Sequence, residues 1–255
     1  MIETRSIVSR LHTIESLAVI PRVSSTNQIA RRVLDECIEN DLSLPRAMII
    51  AGEQFAGRGR NQRTWSSPAK KGIYATTMLT RSAAELPLLP LEMANTVATY
   101  LRDVFAVDAR IKWPNDIVVA GRKIAGILIE ARVQDTRAHL AIGIGINVVP
   151  FESDQRQNAI AISEASPRDF RGLDAATVAF IEHVDRRLWQ SISRQSVLAE
   201  WRELSVHRDG DPITCVLPDR TVSGQWRGID ADGRALLEHR GETIRVSSGE
   251  IIQTQ

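Results

Sequence analysis

The sequence predicts an α+β protein, a central mixed or antiparallel sheet with helices, followed by a small all-β module. Three observations predict it. Apolar residues recur at helical spacing in three separate segments. Short β-type runs lie between them, two of these flanking an Ala-Gly pair of the kind that closes a tight hairpin. Beyond His207 the texture changes to short apolar runs at about ten-residue spacing, punctuated by Gly, Asp and Pro.

The elements follow in chain order. Met1 to Arg22 is a short leader that alternates charges with single aliphatics. Ser25 opens a helix whose inner face carries Ile29, Ala30, Val33, Leu34 and Cys37, and Ser25 with Gln28 fits a capping box. Ala47 to Ala51 and Ile73 to Leu79 read as strands joined by a long functional loop. Leu86 to Val104 is a buried helix by its apolar spacing, with Pro87 and Pro90 near its start, where a missing N–H is harmless. Arg110 to Ala131 reads as two strands around Ala120-Gly121, and Leu140 to Val149 as a third. Phe151 to Gly172 is polar and irregular and is expected to be partly mobile. Asp174 is the expected N-cap of a further helix through Leu188 and Trp189, extended or restarted after Ser191 toward Trp201. A boundary near residue 206 divides the chain into a larger module, 1–205, and a smaller one, 206–255.

Composition narrows the function. With 43% hydrophobic and 25% charged among 255 residues, the chain matches an ordinary globular protein. Lys plus Arg number 32 against 31 Asp plus Glu, so the overall basic excess of a non-specific DNA binder is missing. No apolar run approaches the roughly 20 residues that span a bilayer, and the start lacks a signal-peptide core, so a cytoplasmic location is expected. Cys37 and Cys215 lie far apart in no metal-ligand spacing and read as ordinary thiols.

The chemistry concentrates in four patches. Gln54 leads into Gly57-Arg58-Gly59-Arg60 and on to Arg63-Thr64-Trp65, a loop alternating bare backbone with fixed positive charge. Glycine admits close approach of main-chain N–H groups to an anion, and arginine supplies a planar fork of donors. Alone, the four residues fit a solvated turn best and a nucleic-acid arm next. Lys112-Trp113-Pro114-Asn115-Asp116 has poor strand composition, so it lies at an edge or is held there for its side chains. A two-residue Ala120-Gly121 loop pairs Val119 with Arg122 and Val118 with Lys123, and puts Lys112, Asp116 and Lys123 on one face with Ala125 and Ile127; an exposed ion-pair ladder fits the same register. Gly143, Gly145 and Asn147 share a face opposite Ile142, Ile144 and Ile146, which suits either a ligand lying flat or close sheet-on-helix packing. Ser25, Thr26 and Asn27 fit a plain N-cap cluster or a binding site for a carboxylate or urea-like group. Trp65, Trp189 and Trp226 are taken as packing residues.

Together and in this order these patches resemble the biotin–protein ligases. The residues that carry the likeness are Ser25-Thr26-Asn27, Gln54 with Gly57 to Arg60 and Arg63 to Pro68, Lys112 to Asp116, Lys123 to Leu128, and Gly143 to Asn147, over roughly residues 22 to 255. The resemblance implies a class II aminoacyl-tRNA synthetase-like catalytic domain with a small C-terminal SH3-like β-barrel. It implies that biotin and ATP form biotinyl-5′-AMP, with Mg2+ accompanying ATP, and that biotin then passes to a lysine of a biotin carboxyl carrier protein. Lys123, Arg58 and Arg60 become catalytic; Ser25, Thr26, Asn27, Gln54, Gly57 and Gly59 join them in holding biotin. Arg58, Arg60, Arg63, Trp65, Lys112, Asn115, Asp116 and Asn147 serve ATP, with metal ligands unassigned. Ser24 stands where many members carry an acid, and Ala69-Lys70-Lys71-Gly72 is more charged than that turn usually is. About 24 residues precede the Ser-Thr-Asn signature, short of the roughly 60 a winged helix takes, so no DNA partner is expected. Nor is a membrane partner, and the chain is expected as monomer or homodimer. The competing functions are a lipoate ligase or lipoyl/octanoyl transferase, and a non-catalytic biotinyl-AMP sensor or nucleic-acid-binding protein.

Overall fold

The computed structural model describes residues 4–152, 158–190, 192–217 and 219–253. Its larger sheet has seven strands: β1 (Ser16–Ile20), β2 (Ala47–Ala51), β3 (Gly72–Ser82), β4 (Arg110–Lys112), β5 (Asp116–Val119), β6 (Arg122–Gln134) and β7 (Arg137–Asn147). Their spatial order is β1-β2-β3-β7-β6-β5-β4, with β1 and β2 parallel and the remaining neighbours antiparallel. The helices are α1 (Thr4–Val8), α2 (Thr26–Glu39), α3 (Leu89–Phe105), α4 (Ile162–Ala165), α5 (Leu173–Trp189) and α6 (Arg194–Leu204).

Alternation of side chains assigns the two faces of the sheet. Ala47, Ile49, Met78 and Ala141 pack with Ala30, Leu34 and Cys37 of α2. Met48, Ile50, Ile73, Ile142, Ile144 and Ile146 belong instead to the main core with Val97, Ala98 and Leu101 of α3, which α5 and α6 back. Each buried Val, Leu, Ile or Met among them contributes about 1.5–3 kcal/mol. The second sheet, β8 (Pro212–Val216), β9 (Thr221–Ile229), β10 (Ala235–His239), β11 (Glu242–Val246) and β12 (Glu250–Gln253), is antiparallel in the order β11-β10-β9-β8-β12. Its Trp226 and Leu237 join the same core as Leu88 and Leu91 at the start of α3, so the second sheet shares the core of the first.

Several expectations need correction. Arg110 to Ala131 forms three strands, not two, because Trp113-Pro114-Asn115 makes a turn that pairs Lys112 with Asp116 and leaves β4 at the sheet edge. Val119 does pair with Arg122 and Val118 with Lys123, but a bulge between Ile117 and Val118 then sets Asp116 opposite Gly126. Ala125 and Ile127 therefore point into the core instead of sharing the face of Asp116. Residues 16–20 of the leader form the edge strand β1, which was too short a pattern to stand out.

Ser25 is the N-cap of α2 but makes no side-chain capping bond; Gln28 instead accepts from the Ser24 hydroxyl at 2.7 Å, so the capping box is not formed. Gly172, at φ 98°, caps α5 in place of Asp174, which sits in the first turn, where its charge complements the helix dipole. Of the stretch expected to be irregular and partly mobile, residues 153–157 lie outside the described residues; the rest includes α4 and a bridge from Ala159 to Lys123. Trp189 is 62% exposed, against a ring contact with His12, and is not a packing residue; Trp226 is buried. Both cysteines are buried and free.

Candidate active site

A cavity of about 550 Å³ opens beside the N-terminal end of α2. The polar wall comes first. Ser25, Thr26 and Asn27 are at most 3% exposed. Gln54 Oε1 accepts from the Thr26 main-chain N–H at 2.8 Å and from its hydroxyl at 3.1 Å, and Gln54 Nε2 donates to Ser67 Oγ at 2.9 Å. The Thr76 hydroxyl, within 2.7 Å of Thr26 Oγ1 and 2.6 Å of Asn27 Oδ1, ties the helix end to β3. Asn27 Nδ2 donates to Leu128 O at 3.2 Å and Glu130 Oε2 at 3.1 Å. The α2 N-terminus is thereby fixed to two strands, β3 and β6, and to Gln54 in the loop after β2.

The glycine row explains itself at this point. A Cβ on Gly143 would fall 2.0 Å from Asn27 Oδ1, and one on Gly145 2.5 Å from the Trp65 indole. The bare face is packed by side chains: Gly143 is filled by the helix end and Gly145 by an aromatic from the loop, and both line the cavity. Trp65 is therefore a cavity wall and not core, half-buried over Gly145 and Gly126, its Nε1 without a partner among the described residues.

On the opposite side Lys123 Nζ lies 2.6 Å from Asp116 Oδ1 and 5.3 Å from the centre of the Trp65 ring. Asn147 Nδ2 donates to Lys123 O at 3.3 Å, bracing that strand. Asn115 Nδ2 donates to Ile127 O at 2.8 Å, and its Oδ1 accepts from Arg60 Nη1 at the same distance. Asn115 thus links the turn to the arginine loop.

In that loop Gly57 stands outside the cavity lining: a Cβ there would meet Trp65 O at 2.3 Å, so the glycine lets the loop cross itself. The main-chain N–H groups of Gly59, Arg63 and Trp65 already bond Arg63 O, Arg60 O and Gly57 O. These three amides are engaged within the loop, which leaves the guanidinium groups among the candidate holders of an anion. Arg58 Nη1 is 4.0 Å from Glu130 Oε1, Arg60 Nη1 also donates to Gly249 O at 3.3 Å, and Arg63 forks onto both Glu250 oxygens. Burial pushes the Arg60 guanidinium below its ordinary value while Asp116 and Glu250 oppose the shift; the Glu250 bond raises that of Arg63. Five cations, Arg58, Arg60, Arg63, Lys112 and Lys123, line the cavity against the carboxylates of Asp116 and Glu250, so it favours an anion.

Residues 19–147 match the biotin/lipoate A/B protein ligase family, which takes in half of the chain and every predicted site residue. The chain belongs to this family. Residues 210–252 match the biotin protein ligase C-terminal domain. The biotin–[acetyl-CoA-carboxylase] ligase of Paracoccus denitrificans is 38% identical over 214 residues, 75% of this chain and 83% of that protein. The bifunctional ligase/repressor BirA of Escherichia coli is 33% identical over 245 residues, 92% of this chain and 73% of that protein. Among solved structures, a biotin protein ligase from Aquifex aeolicus in complex with biotin and ATP superposes with a TM-score of 0.74 at 23% identity, covering 94% of this chain and 98% of that one.

Thr76, Glu130, Gly249 and Glu250, which bond the predicted site residues of this biotin protein ligase, escaped the sequence reading. Thr76 and Glu130 had a usable signal, since alternation along β3 and β6 puts them on the face of Gly143, Gly126 and Leu128. Gly249 and Glu250 had none, because they reach the loop from 187 or more residues away.

Proposed function

We propose that this protein is an ATP-dependent biotin–protein ligase that activates biotin as biotinyl-5′-AMP and transfers it to a lysine of a biotin carrier domain such as that of acetyl-CoA carboxylase. The observation that carries the reading is the meeting of Lys123, the arginine loop and the Ser25–Asn27 cluster around one cavity of about 550 Å³, within the usual range for a small-molecule site. In the first step a biotin carboxylate oxygen attacks the α-phosphorus of ATP, and the bond to pyrophosphate breaks. Lys123 is suited to the carboxylate and the bridging oxygen, where negative charge is held. Arg58 and Arg60 serve the phosphate and, with Trp65, screen the mixed anhydride from water. Ser25, Thr26, Asn27 and Gln54 offer the donors and acceptors a ureido ring needs.

In the second step the carrier's lysine amine attacks the acyl carbon, AMP departs with its oxygen, and the amine loses a proton. No nucleophile of the enzyme is required. The 2.6 Å contact of Asp116 with Lys123 supports a role in holding that cation. Lys112, Asn115 and Asp116 would face the nucleotide, whose magnesium enters with it as MgATP. Among the described residues no group of three or more His, Cys, Asp or Glu side chains could hold a metal by itself. We read the chain as a catalytic module, 1–205, and a C-terminal module, 206–255.

The test is pyrophosphate exchange. The chain incubated with ATP, biotin and labelled pyrophosphate is expected to return label to ATP only when biotin is present, and not with lipoate in its place. Exchange with lipoate alone, or none with either acid, rejects the reading.

A further inference from the structure

His207 lies where the two sheets meet. It is 4% exposed, and its ring stacks on Trp226 with centroids 4.6 Å apart and planes 30° apart. Its Nε2 accepts the main-chain N–H of Trp113 at 3.1 Å, and its own main-chain N–H donates to Ser205 Oγ at 3.0 Å. Trp113 is anchored again through its indole N–H on Gly233 O at 3.0 Å, and Val206 N–H donates to Ile111 O at 3.0 Å. These bonds bracket the start of the turn that presents Lys112, Asn115 and Asp116 to the cavity.

An accepting Nε2 puts the ring proton on Nδ1, which is buried and without a partner among the described residues. The imidazole is therefore neutral. The charged groups facing it are Lys112 from the turn and Arg208 and Asp211 from its own loop; the aromatic neighbours Trp113 and Trp226 carry none. A side chain lacking an acceptor here would leave the Trp113 N–H unpaired in a buried place, and the turn would shift to find a partner.

We propose that His207 is a positioning residue for the nucleotide end of the cavity: by accepting from the Trp113 amide it sets the turn Lys112–Asp116 against Lys123 and the arginine loop. The proposal rests on the ligase reading above. In the full chain His207→Phe keeps an aromatic stack and removes the acceptor, whereas His207→Gln returns an amide oxygen near the place of Nε2. His207→Phe is expected to raise KM for ATP in biotin-dependent exchange about tenfold or more, with the biotin Kd from calorimetry within about twofold. His207→Gln is expected to recover most of that loss. Equal losses for both substrates, or a Gln variant no better than Phe, overturn the proposal alone; absence of exchange in the parent chain overturns it together with the ligase reading. A nitrogen–proton correlation spectrum of the parent's imidazoles needs no variant to fold: an Nδ1–H tautomer at His207 supports the proposal, and an Nε2–H tautomer refutes it.

Discussion

The two sides of the cavity are built on opposite terms. At the α2 end, Thr26, Asn27, Thr76 and Gln54 are joined to one another by short, mostly buried hydrogen bonds, and strands on either side hold them. The arginine loop instead rests on ion pairs near water: Arg58 to Glu130 at 4.0 Å with the arginine side chain 44% exposed, and Arg63, 63% exposed, to Glu250. Exposed pairs of this kind are worth about 0–1 kcal/mol, whereas a buried network is costly to break in part. The comparison teaches that the wall is set before ligand arrives, while the loop holds Arg58 and Arg63 on carboxylates that an incoming anion can replace and Arg60 on the neutral oxygens of Asn115 and Gly249.

The sharpest way to break this contrast is to remove the cation between the two sides. Lys123→Ala is expected to slow biotinyl-adenylate formation by about a hundredfold to a thousandfold while biotin binding by calorimetry persists, since the wall stays intact. Full exchange activity in the variant would contradict the division of roles.

Acid should attack the framework before the loop. Burial lowers both His183 and His207 to about 4 from 6.5, helped at His183 by Arg186 and Arg187 and at His207 by Lys112. The folded state disfavours the proton, so the unfolded chain binds more protons between those values. Stability is complete above pH 6.5 and falls as pH drops toward 4, by up to about 3 kcal/mol per histidine. Urea midpoints measured across that window should decline with acidification; a flat profile would show that the two rings are not held neutral.

Glycine substitutions sharpen the same comparison. Gly143→Ala drives a methyl to 2.0 Å from Asn27 Oδ1 and is expected to cost about 1–3 kcal/mol and to weaken biotin binding. Gly59→Ala meets nothing nearer than 3.4 Å at φ −110°, so its thermal midpoint should match the parent's. Equal melting of the two variants would erase the distinction between wall and loop. A smaller effect than that of Gly143→Ala belongs to Glu250→Gln, which loosens Arg63 and is expected to change stability by less than about 1 kcal/mol while hastening proteolysis within residues 57–65. Unchanged cleavage would mean that the second sheet does not restrain the loop.

What the amino-acid order determined by itself was whatever depends on near neighbours. The Ala120-Gly121 hairpin placed Lys123 across from the Asp116 strand, helical spacing put Ala30, Leu34 and Cys37 inward, and the alternation of glycine with arginine made the loop a candidate anion site. Tertiary structure alone decided what lies against those elements. The bulge that turns Asp116 to Gly126, the Asn27 and Trp65 side chains that occupy the glycine row, and the Glu250 carboxylate under Arg63 all depend on segments far apart in the chain. Hydrogen-bond capacity and backbone preference are local properties that a sequence displays directly, whereas the partner that satisfies them is chosen only when packing brings distant strands together.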